Sequence, residues 1–131
     1  MTMELTMAAW ALVLAFVQIL LFDFARTGQY GLKWNISPRD ADMPAISPMG
    51  GRLKRAQDNL FETLPLFLAA VLIAHVADRN SALTAYGAMI YLGGRVAYVP
   101  LYAFGVTGLR SLVWIVSVVG LGMIVWAILA G

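Results

Sequence analysis

Four apolar runs, at residues 5–22, 60–77, 81–102 and 111–130, take up well over half of this 131-residue chain. Each comes close to the roughly 20 residues with which a helix crosses the hydrocarbon core of a bilayer. Lipid offers peptide groups no water, and a helix satisfies all of its own. The chain is therefore expected to be all-α, an integral membrane four-helix bundle in a single domain covering 1–131. Its helices are expected at about 5–24, 53–77, 81–103 and 109–130, with a loop at about 25–51. Charged residues make up only 12% of the chain, half of the roughly 25% usual in soluble domains, which leaves no room for a separate water-soluble unit. The first run follows Glu4 instead of a basic segment and ends in Phe22-Asp23-Phe24, with no small-residue cleavage pattern. It reads as a retained helix and not as a signal peptide.

The loops set the orientation. Residues 23–55 carry Arg26, Lys33, Arg39, Arg52, Lys54 and Arg55 against Asp23, Asp40 and Asp42, and Arg110 precedes the last run. The turn between the second and third runs has only Asp78 and Arg79. The positive-inside rule then puts the long first loop in the cytoplasm and both termini outside, in the inner membrane if the cell is bacterial. Trp34 suggests that part of this loop lies at the headgroup level. The absence of cysteine removes disulfides, thiolate metal sites and a cysteine nucleophile. His75 is the sole histidine and cannot supply both axial ligands of a haem, so neither metal nor haem is expected. A net charge of +2 is too small to argue for a nucleic-acid partner.

Ionisable groups are expensive in lipid, so the few that enter the apolar runs are informative. In RLKRAQDNLFETLPL, residues 52–66, Arg52, Arg55, Asn59 and Glu62 fall within an arc of about 80° at 100° per residue. Glu62 lies about 15 Å deeper than Arg52. On the third run Tyr91, Arg95, Tyr98 and Tyr102 share an arc of about 60°. That run travels in the opposite direction, so Tyr102 and Arg110 are expected beside Arg52 and Arg55, while the outer half stays nearly bare. Four guanidinium groups against one carboxylate suit a small, net anionic ligand with more than one carboxylate or phosphate and room for one amine. Pro65 and Pro100 are expected to bend or interrupt their helices. Gly93, Gly94, Gly120 and Gly122 are expected to permit close helix packing.

The segment Arg55-Ala56-Gln57-Asp58-Asn59-Leu60-Phe61-Glu62, followed by Pro65 and then by Arg95, Tyr98, Tyr102 and Arg110-Ser111, resembles the MAPEG family. These are membrane-associated proteins in eicosanoid and glutathione metabolism, and the resemblance covers most of the chain. It implies a homotrimer of four-helix bundles with glutathione bound as cosubstrate between neighbouring subunits, beside membrane lipids that deliver a lipophilic small-molecule substrate. Position by position, it implies that Arg55, Asn59, Glu62, Arg95, Tyr98 and Tyr102 hold the tripeptide, and that Arg52 and Arg26 border it on the cytoplasmic side. Arg110, with Ser111, would be catalytic by stabilising the thiolate. Thr63 stands where several members have a tyrosine. The activity implied is that of a glutathione transferase or peroxidase acting on lipophilic electrophiles or peroxides. The residues alone leave two other readings open. One is a membrane binding or transport protein, although a small exporter would carry its carboxylate on the first run and 5–22 has none. The other is an assembly protein whose Glu62 and Arg95 only join helices.

Overall fold

The computed structural model describes residues 1–131 as helices and connecting turns, with no strand. The helices are α1 (Met3–Tyr30), α2 (Leu32–Asn35), α3 (Pro48–Val76), α4 (Ala82–Ala103) and α5 (Thr107–Ala130). α1, α3 and α5 are long and apolar enough to cross a membrane. α4 falls short of that measure, because Arg95 and its tyrosines dilute the apolar content of its 22 residues.

Local chemistry sets the helix ends. The Thr2 hydroxyl caps α1 by accepting from the Leu5 N–H at 3.2 Å. α1 then runs past its expected end near residue 24. Gly28, which composition assigns to a loop, is tolerated within the helix, and the stop comes at Gly31, whose φ of 92° few other residues would adopt. α3 opens earlier than expected, with Pro48 in its first turn and the Ser47 hydroxyl accepting from Gly50 N–H. The stretch outside the helices thus shrinks from about 25–51 to 36–47, with the single turn of α2 before it. At the start of α4, Ser81 and Thr84 form a reciprocal capping box. Neither proline interrupts its helix: α3 continues through Pro65 and α4 through Pro100. Packing against neighbouring helices makes such positions tolerable in membrane proteins.

The core forms where α3 packs on the others. Leu60, Leu64, Phe67 and Val71 of α3 meet Ala11 and Ala15 of α1, Ala88 and Tyr91 of α4, and Leu121 and Ile124 of α5. The Phe67 and Tyr91 rings stack with centroids 4.1 Å apart. α4 and α5 share the most extensive interface in the molecule. Small residues bring their backbones together, since a Cβ on Gly120 would lie 2.6 Å from the Gly87 carbonyl oxygen and one on Gly94 would lie 2.8 Å from Ser117 Cβ. Gly94 and Gly120 therefore act as expected. Gly93 and Gly122 face open space instead, and Gly87 takes the place assigned to them.

The end remote from the arginines is not bare. Glu4 is only 4% exposed, and the fully buried Thr84 hydroxyl donates to its Oε2 at 2.8 Å. The carboxylate just ahead of the apolar run turns inward beneath the N-terminus of α4, where the helix dipole favours negative charge.

Candidate functional site

Arg52 and Arg55 project from the early turns of α3, and both meet the end of α4. Arg52 Nη1 donates to the Ala103 carbonyl at 3.3 Å. Its guanidinium lies against Gly105, where a Cβ would stand 3.5 Å from Arg52 Cζ and where φ is 74°. Arg55 Nε donates to the Tyr102 hydroxyl at 3.0 Å, while its guanidinium passes 3.1 Å from where a Cβ on Gly51 would be. From α5, the Arg110 guanidinium sits 4.5 Å over the centre of the Tyr102 ring. One tyrosine is thus held at its hydroxyl by one cation and at its face by another.

Deeper in the bundle, Arg95 of α4 is 1% exposed and donates through Nη1 to Asn59 Oδ1 of α3 at 2.8 Å. It also lies 4.5 Å over the Tyr98 ring. With its oxygen engaged, Asn59 keeps its amide N–H groups for another acceptor. A cavity of about 350 Å³ opens here, lined by Asn59, Tyr98, Arg110, Ser111, Trp114 and Ile115. That volume falls at the lower end of the roughly 300–1,000 Å³ typical of small-molecule sites. Below it the Thr63 and Tyr91 hydroxyls are hydrogen-bonded at 2.9 Å, joining α3 to α4.

The charge balance is one-sided. The molecule has two ion pairs, Arg26–Asp23 at 3.2 Å and Lys54–Asp58 at 2.9 Å. Arg52, Arg55, Arg95 and Arg110 therefore have no carboxylate partner, and the buried Nε of Arg95 has no hydrogen-bond partner at all. A buried guanidinium is ordinarily paired, because desolvating a lone charge is costly. Glu62 is exposed on the outer face of α3 without an ion pair. The arrangement is a hollow that is rich in donors and lacks counter-ions.

Of the residues singled out in the sequence, Arg52, Arg55, Asn59, Arg95, Tyr98, Tyr102, Arg110 and Ser111 are brought together from α3, α4 and α5. Ser111 lines the cavity, with its hydroxyl 3.5 Å from the Thr107 carbonyl. Arg26 stands apart, paired with Asp23 and placed 5.2 Å from the Phe22 ring centre and 5.8 Å from that of Trp34. Trp34 is half-buried against Tyr30, their ring centres 4.8 Å apart. Trp114 and Ile115 were not anticipated as lining residues. The spacing was readable, since Trp114 follows Arg110 by four positions and shares its helix face.

A family model described as the MAPEG family matches residues 5–130. No curated protein matches the chain.

Proposed function

The chain belongs to the MAPEG family, and from that membership we propose that it binds glutathione in the cationic hollow and activates its thiol. Membership and three apolar helices together make it an integral membrane protein. The reading is carried by three guanidinium groups, Arg55, Arg95 and Arg110, one from each of three helices, which meet Tyr98 and Tyr102 with no carboxylate paired to them, and by Arg52 beside them at the end of α4. Glutathione has two carboxylates and one ammonium. Arginine forks match the carboxylates, and Glu62 is the acidic group suited to the ammonium. In this reading Arg55, Asn59, Arg95, Tyr98 and Tyr102 hold the tripeptide and Arg52 borders it, while Arg26 keeps to its own pair with Asp23.

Glu62 and the cavity residues Ser111 and Ile115 are exposed on the single chain. A carboxylate turned toward lipid is unfavourable, and a second copy laid over this face would shield it. We therefore place the site between subunits, in the homotrimer that the family resemblance implies. α4 would be the fourth span, shielded by the helices around it. The basic first loop would be cytoplasmic and both termini outside, in the inner membrane if the cell is bacterial.

The chemistry would be thiolate formation. A free thiol has a pKa of about 8.5, so only a few per cent is ionised at neutral pH. Bringing it down to about 6.5 requires roughly 2.7 kcal/mol of preference for the anion. A guanidinium within hydrogen-bonding reach in a poorly hydrated site favours that anion. Arg110 lines the cavity and has no carboxylate to neutralise it, with Ser111 beside it. The thiolate would then attack a lipophilic electrophile or peroxide arriving from the bilayer. An assembly role would use the same Arg95–Asn59, Arg55–Tyr102 and Arg110–Tyr102 contacts to join helices, but it gives no task to the cavity that Arg110 lines.

Isothermal calorimetry of detergent-purified protein with glutathione tests the proposal. Wild type should release binding heat, and Arg55→Ala and Glu62→Ala should weaken it. A wild type that takes up no glutathione would refute it.

A further inference from the structure

The connection between α1 and α3 is fastened to the end of α1 by side chains. Gln29 Nε2 donates to the Ala45 carbonyl at 2.9 Å, and Gln29 Oε1 accepts from the Ser47 N–H at 2.7 Å. One amide thus holds the backbone on both sides of Ile46. The next residue, Tyr30, donates its hydroxyl to the Pro44 carbonyl at 2.6 Å. Three contacts within four residues, at Pro44, Ala45 and Ser47, leave this stretch little freedom.

Ile46, held between them, bears on the first turn of α3. A Cβ on Gly50 would lie 2.6 Å from Ile46 Cγ1, and one on Gly51 would lie 3.7 Å from Ile46 Cγ2. Ser47 caps the same turn through Gly50 N–H. Gly51 in turn receives the Arg55 guanidinium, and Arg52 follows directly in the chain. A continuous path of contacts therefore leads from Gln29 to the two cations that meet the end of α4. Gln29 itself touches neither the cavity nor any of its arginines.

We infer that Gln29, with Tyr30 beside it, is a positioning residue: it sets the start of α3 and so aims Arg52 and Arg55 at the anionic ligand. The ligand part of this inference rests on the proposed function, whereas the part concerning α3 does not. Arg110 is anchored by its own helix, α5, and meets the path only at the face of Tyr102, so thiol activation should be untouched once the ligand is bound. This separates positioning from general loosening of the fold.

The test is a double-mutant cycle in glutathione affinity, using wild type, Gln29→Ala, Arg55→Ala and the double variant. Gln29→Ala should weaken binding roughly 2- to 30-fold, the span of coupling through packed networks. It should cost clearly less once Arg55 is already alanine, the remainder acting through Arg52. Thiolate absorbance at saturating glutathione should equal that of wild type. Gln29→Glu, which keeps the acceptor for Ser47 but loses the donor to Ala45, should fall between. Full affinity in Gln29→Ala, losses that simply add in the double variant, or a lowered thiolate signal at saturation would each overturn the inference. Hydrogen exchange without ligand provides the readout that glutathione cannot confuse. Amides of residues 49–55 should exchange faster in Gln29→Ala while those of 107–115 do not. If wild type binds no glutathione, the ligand reading falls, and unchanged exchange at 49–55 would then overturn the positioning role as well.

Discussion

Replacing Gly120 by alanine adds one methyl group at the closest approach of α4 and α5. The new carbon would sit 2.6 Å from the Gly87 carbonyl oxygen and 2.7 Å from the Tyr91 backbone nitrogen. Both obstacles are backbone atoms, so no side-chain rotation relieves the clash, and the two helices must part by roughly 1 Å to restore ordinary contact. Overpacking of this kind costs about 1–3 kcal/mol. The consequence reaches the site, because α5 carries Arg110, Ser111 and Trp114 opposite Tyr98 and Tyr102 of α4. A displacement of about 1 Å can lower a rate on the order of 100-fold when geometry governs the chemistry. Gly122 provides the control. Nothing lies within 4 Å of its hypothetical Cβ, and alanine is the better helix former by up to about 1 kcal/mol. Thermal unfolding in detergent should therefore place Gly120→Ala below wild type and Gly122→Ala level with it or above. Thiolate absorbance on adding glutathione should fall only in the former. If Gly120→Ala melts with wild type and keeps its thiolate signal, the close seam does not position α5.

Two further outcomes are expected. Arg110→Ala should still bind glutathione, with the ionised fraction of its thiol near pH 7 dropping toward the few per cent of the free compound; an unchanged ultraviolet thiolate band would remove Arg110 from the role. At the other end of the bundle, Glu4→Gln keeps an acceptor for Thr84 and should leave the melting temperature almost unaltered, whereas Thr84→Val both strands a buried carboxylate and removes the capping box with Ser81, and should cost at least about 1–3 kcal/mol. Calorimetric melts that rank these two variants the other way round would contradict a hydrogen-bonding role for the pair.

Much of this arrangement was legible in the residues, for reasons that differ from place to place. Arg55 and Asn59 on α3, and Arg95, Tyr98 and Tyr102 on α4, converge because helical periodicity is a local property that needs no knowledge of the neighbouring helix. The identity of each partner was not legible. Arg95 bonds to Asn59 and not to Glu62, a choice decided by how far α3 and α4 slide past each other. Glu62 is exposed on the single chain, and its fate depends on surfaces beyond it. The end of α1 was misplaced because Gly28 and Gly31 look alike as letters, whereas only Gly31 needs a positive φ. Gly87 escaped notice although it lies seven residues before Gly94, two helical turns along the same face. Glu4 was treated as a flank of the first run, since nothing local says that it will turn inward onto a helix that begins about eighty positions later.

α1 is tied at both extremities, through Glu4 to Thr84 at one end and through Gln29 and Tyr30 to the approach to α3 at the other. At 1.5 Å per residue its 28 residues extend about 42 Å, of which the apolar run 5–22 covers about 27 Å, close to a hydrocarbon layer of about 30 Å. Such a rod meets a thinner or thicker bilayer by changing its inclination. Lashed at each end, it cannot lean alone. Any change in slope is shared with α3 and α4, so the molecule answers membrane thickness as one rigid frame and not helix by helix.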